Sequence, residues 1–104
     1  MSALQRLAAW HSRQCDGDWE HRHGVSIQSC DNPGWWVQIN TENTVLQTKR
    51  FDPIAENVDE RGFQRGPRWL ACRVADGVWN GAGDETRLEQ ILELFVTWAE
   101  SHGS

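Results

Sequence analysis

The chain has 104 residues, a net charge of −5, 38 % hydrophobic and 24 % charged residues, which is the composition of one globular domain over residues 1–104. No apolar run reaches the roughly 18–20 residues of a spanning helix, and Met1–Trp10 has no signal-peptide profile, so neither membrane insertion nor export is expected. The acidic balance argues against direct nonspecific nucleic-acid binding, and the excess is concentrated in residues 52–67 (net −2) and 84–104 (net −4).

Ser2-Ala-Leu-Gln5 is an S-x-x-Q capping box, in which each side chain satisfies the other end's orphan backbone N–H. Leu4, Leu7, Ala8, His11 and Cys15 then recur at helical spacing with Trp10 on the flank, which predicts a helix over roughly 3–15, ending near Asp16-Gly17. Val25 and Ile27 alternate with Ser26 and Gln28. Asp31-Asn32-Pro33-Gly34 reads as a type II turn, because Pro presets φ at its first central position and Gly permits positive φ at its second. Beyond it Trp35, Val37 and Ile39 share one face and Trp36, Gln38 and Asn40 the other, so an antiparallel hairpin is expected. The pattern allows a shorter strand over Val45–Thr48. Asp52–Pro67 reads as a loop. Leu70, Cys72 and Val74 alternate again, and Asp76-Gly77 is a two-residue hairpin turn into Val78–Asn80. Thr86-x-x-Glu89 is a second capping box, opening a helix over about 86–101 whose stripe is Leu88, Ile91, Leu92, Phe95 and Ala99.

The predicted fold is therefore α+β in two layers: an antiparallel β-sheet of 4–5 strands, with the N-terminal and C-terminal helices packed on one face. The opposite sheet face would remain open. If Trp35 points at the helices, Trp36 must point at that open face, with Trp69 and Trp79 able to join it depending on register. An exposed Trp beside polar residues is a favoured interface anchor, since it supplies large rigid area at low entropy cost. The same ring could stack on a sugar, which would make the domain a carbohydrate-binding module.

The densest polar cluster runs from Cys15 to Gly24. Asp16, Asp18, Glu20, His21 and His23 are residue types that could hold a metal or do acid/base work, so a small metal-dependent hydrolase is one reading. The spacing matches no known site: the sixth position of an EF-hand-like loop is His21 rather than Gly, and no second ligand pair matches His21-x-His23. The simpler reading is a helix-to-strand connection whose carboxylates bond local backbone N–H groups. No nucleophile or phosphate-loop motif is present; Gly81-Ala82-Gly83 precedes a helix, yet Asp84 and Glu85 would repel an anion there. No catalytic residue, cofactor or metal is therefore expected. Cys15, Cys30 and Cys72, odd in number and without C-x-x-C spacing, read as free thiols of a reducing cytoplasm and as small core residues.

The string Gln14-Cys15-Asp16-Gly17-Asp18-Trp19-Glu20-His21, then Gly24 and Asp31-Asn32-Pro33-Gly34-Trp35, resembles the immunity protein 53 family of bacterial polymorphic toxin systems. Trp69, Gly81-x-Gly83 and the closing Leu88, Ile91, Leu92, Phe95 and Trp98 fit the same pattern, which covers nearly the whole chain. The resemblance implies a small cytoplasmic α+β protein that binds and neutralises a cognate protein toxin, with no catalytic residues to carry over. An acidic inhibitor suits a basic target such as a nuclease. Asp16, Asp18, Glu20, Asp31 and Trp36 are the candidate partner-binding residues, and the oligomeric state, monomer or homodimer, is left open.

Overall fold

A computed structural model describes residues 2–30, 33–59, 61 and 65–101 of the chain. Helix α1 (Ala3–Gln14) and a short helix α2 (Trp19–Arg22) precede strands β1 (Val25–Cys30) and β2 (Gly34–Asn40). A 3₁₀ turn (Val45–Thr48), β3 (Ile54–Glu56), β4 (Leu70–Ala75), β5 (Val78–Asp84) and α3 (Leu88–Glu100) follow. The five strands form one antiparallel sheet in the order β1-β2-β5-β4-β3, and α1 and α3 pack together with α3 laid on β5 and β2. This is the two-layer α+β arrangement expected from the periodicity.

The capping box of α1 forms as its residues dictate: the Gln5 N–H donates to Ser2 Oγ at 3.1 Å and the Ser2 N–H to Gln5 Oε1 at 2.9 Å. Its buried stripe differs from the expected one. Ala3, Leu7 and Trp10 face inward, while Leu4 is 56 % exposed and Ala8 and Cys15 are also exposed. The larger apolar area of the Trp10 indole decides the rotation. It meets Trp19 and Phe95 edge to face and begins a chain of rings through Trp79 and Phe51 to Trp98, with centroids 5.0–6.0 Å apart.

Register places Trp79 opposite Ile39 and Val74, Gly81 opposite Val37 and Cys72, and Gly83 opposite Trp35 and Leu70, all on the helix side. Trp79 is therefore fully buried rather than on the open face, and Trp69 is buried beside the same layer. Gly81 is required by a close approach: a Cβ there would lie 2.6 Å from Ile91 Cγ2 and 2.6 Å from the Trp79 ring. Gly81-Ala82-Gly83 is thus strand, spaced for helix packing, and not an anion-binding helix entry. The turn between β4 and β5 uses positive φ at both central residues, Asp76 (53°) and Gly77 (77°), as the Asp-Gly pair predicts.

Four local expectations are corrected. Val45–Thr48 is a 3₁₀ turn rather than a strand, because Thr44 Oγ1 accepts the Leu46 N–H at 3.1 Å and only Leu46 is buried. The expected loop 52–67 contains β3, which pairs along the edge that β4 offers. Helix α3 opens without the Thr86–Glu89 box; the buried Asp84 carboxylate instead takes both the N–H and the Oγ1 of Thr86, a charge-assisted arrangement that outcompetes a hydroxyl. Of the three cysteines only Cys72 is in the core, with Cys15 exposed and Cys30 half-buried. Asp31 and Asn32 of the expected hairpin turn lie outside the described residues.

Candidate partner-binding face

Because successive side chains in a strand alternate, burial of Val37 and Ile39 against the helices turns Trp36, Gln38 and Asn40 outward. Trp36 is 42 % exposed. Following the register across the sheet, Trp36 has Gln28 on one side and Ala82 on the other, and Ala82 continues through Ala71 to Ala55. Three methyl groups in a row leave the sheet surface low beside a tall indole. Val58, Asp59 and Arg61 wall the far end, enclosing a groove of about 450 Å³.

The next row is polar. Gln38 Nε2 donates to Asn80 Oδ1 at 3.2 Å, Asn80 Nδ2 donates to Val78 O at 3.1 Å, and Arg73 stands opposite Asn80 with no ion pair among the described residues. A second hollow of about 360 Å³ continues toward α2 between Arg22, His23, Ser26, Gln38, Asn40 and Val78. The open face thus combines an apolar anchor, a shallow groove and pre-oriented amides on a hydrogen-bonded sheet, features that protein contacts draw on.

The acidic trio Asp16, Asp18 and Glu20 structures its own turn. Asp16 Oδ1 accepts the N–H groups of Trp19 and Asp18, both at 2.9 Å, and Glu20 accepts those of Gly17 at 2.8 Å and Asp16 at 3.0 Å. The bonds from Trp19 and Asp18 hold the Asp16 carboxyl below its usual range; Glu20 is lowered likewise, by its own N–H first and those of Asp16 and Gly17 after it. Asp18 pairs with Arg22 at 3.4 Å, fully on the surface. The connection is thereby locked so that Trp19 enters the core and its Nε1 reaches Glu42 O at 2.9 Å. Asp16, Asp18 and Glu20 are brought together in one turn, and no hydrogen bond, ion pair or ring contact joins them to Trp36 among the described residues. Nor, among the described residues, does any group of three or more His, Cys, Asp or Glu gather as a metal site.

Charge is distributed in a way the linear order hides. Glu85, Glu89 and Glu93 are exposed at helical spacing, and the last two border a groove of about 770 Å³ along α3 with Leu94 and Trp98. The two hollows of the open sheet face carry Arg22, Arg61 and Arg73 against Asp59. The acidic surface of α3 and the Trp36 surface therefore lie on opposite layers. The alanine row, Arg73 and Asn80 escaped the sequence reading; their signal was the phase opposite to Leu70-x-Cys72, in which Ala71-x-Arg73 and Asn80-x-Ala82 fall together.

No curated protein and no solved structure matches the chain. The pattern described as immunity protein 53 matches residues 4–100, a span that takes in all but the first residue of α1, the carboxylate-locked turn, every strand and α3. The chain belongs to the immunity protein 53 family.

Proposed function

We propose that this immunity protein neutralises a cognate toxin of a bacterial polymorphic toxin system in the cytoplasm by stoichiometric occupancy, with the open sheet face as the contact surface and no chemistry of its own. The observation that carries the reading is Trp36, 42 % exposed at the head of the Ala82-Ala71-Ala55 groove. Central aromatic anchors beside a pocket carry most of the energy in protein interfaces. The anchor stands on a five-stranded sheet backed by helices, so little conformational entropy remains to be lost on binding. Arg61 and Arg73 around the groove suit a toxin segment with a carboxylate.

A second reading has its own support: the groove along α3, with Glu89, Glu93, Leu94 and Trp98, suits a basic toxin surface such as a nuclease's. The two are separated by co-purification with the cognate toxin domain. Loss of the complex in Trp36→Ala with retention in Glu89→Lys/Glu93→Lys supports the sheet face; the reverse pattern supports α3.

A further inference from the structure

Strand β1 ends the sheet, so one of its sides is unpaired among the described residues. Gly24 O accepts the Asn40 N–H at 3.0 Å, which fixes the phase of the ladder: residues 24, 26, 28 and 30 bond toward β2. The backbone N–H and C=O groups of Val25, Ile27 and Ser29 consequently point away from the sheet. Natural edge strands are normally blunted by a charge, a Pro or a bulge. β1, Val-Ser-Ile-Gln-Ser-Cys, has neither a charge nor a Pro, and it pairs with β2 residue for residue without a bulge.

The helix beside this edge continues the same chemistry. Leu4, Leu7, Ala8 and His11 of α1 line an apolar trench of about 310 Å³ with Val25 and Ile27. Leu4 is 56 % exposed and Ile27 38 %, and neither α1 nor β1 contains an acidic residue in a chain that has 15.

We propose that a second copy of this chain docks here, β1 against β1, joining two sheets into one. The edge asks for an extended uncharged segment with apolar side chains on the helix side and polar ones on the other, and β1 itself is such a segment. Outward-directed residues must face outward-directed residues, so the in-phase two-fold register sets Ile27 opposite its own counterpart and Val25 opposite Ser29. Both helix layers then lie on one side, Leu4 and Ile27 close over the seam, and both Trp36 faces stay free on the other side.

The area sets the strength. Six residues extend about 20 Å, and a sheet plus a helix layer stands roughly 20 Å tall, so two copies cover on the order of 800 Å² in all. That is small for a permanent dimer, so the association is reversible and concentration-dependent. Each copy carries −5, and this repulsion acts over a Debye length of about 8 Å at physiological salt. Added salt therefore strengthens the dimer, whereas an association held by ion pairs would weaken.

Sedimentation velocity on the isolated protein from about 10 µM to about 500 µM tests this over the range expected for a weak complex. The mass should rise from 11.9 kDa toward twice that value with concentration, and further with salt. Ile27→Lys and Ser29→Pro, checked for folding by circular dichroism, should each stay monomeric. The Ser29→Pro change removes one outward N–H that the sheet does not use. In the unsubstituted protein, amide exchange at Val25, Ile27 and Ser29 should slow as concentration rises. A monomer at the highest concentration, a dimer undiminished in both variants, or exchange at those three amides that ignores concentration would each overturn the proposal.

Discussion

Trp69 and Asp84 hold each other by a reciprocal pair of bonds: the Trp69 N–H donates to Asp84 Oδ2 at 2.9 Å, and the Asp84 N–H donates to Trp69 O at 3.1 Å. The same carboxylate takes Thr86 Oγ1 at 2.6 Å and Arg87 Nε at 3.2 Å while being 1 % exposed. One buried anion thus ties the start of β4, the end of β5 and the entry to α3. Burial alone pushes its carboxyl up; the two Thr86 bonds, then Trp69 and Arg87, outweigh that and leave it well below the usual range.

A group depressed in the folded state contributes stability above its unfolded value, about 3.9, and loses it as pH falls. Asp84→Asn should therefore cost about 1–3 kcal/mol at neutral pH, with the gap to the parent protein narrowing below about pH 4. Urea unfolding at pH 7 and pH 3 checks both parts.

Gly81 leaves no room for a side chain beneath α3. Gly81→Ala should cost about 1–3 kcal/mol by overpacking against Ile91 and Trp79, read as a lowered melting temperature. An unchanged melting temperature would mean that α3 slides freely on β5.

The thiols should separate by environment. Burial pushes Cys72 up to about 12, while Cys15 is exposed beside His11. A disulfide reagent on the native protein at pH 8 should label Cys15 first and Cys72 only on unfolding, with mass spectrometry identifying the sites.

The two hairpins and α3 were legible because their period, turn residues and apolar stripes agree with each other. Trp36 was legible for a simpler reason: adjacent residues of a strand cannot share a face, and Trp35 is the better fit to the helices. β3 was not, since three residues at a sheet edge have no period of their own and exist because β4 offers partners. The groove was hidden too, because Ala55, Ala71 and Ala82 are individually unremarkable and become a feature only when register aligns them. Charge along the chain showed how many acids there were but not that Glu89 and Glu93 belong to the layer opposite Trp36.

Titration calorimetry of this protein against its cognate toxin domain, in parent and Trp36→Ala forms, tests the central claim most directly. Binding should occur at one toxin per chain, and the variant should raise the dissociation constant about 30-fold or more, equivalent to about 2 kcal/mol, with its melting temperature unchanged. An equal dissociation constant for the two forms would contradict the account and remove the open sheet face from the interface.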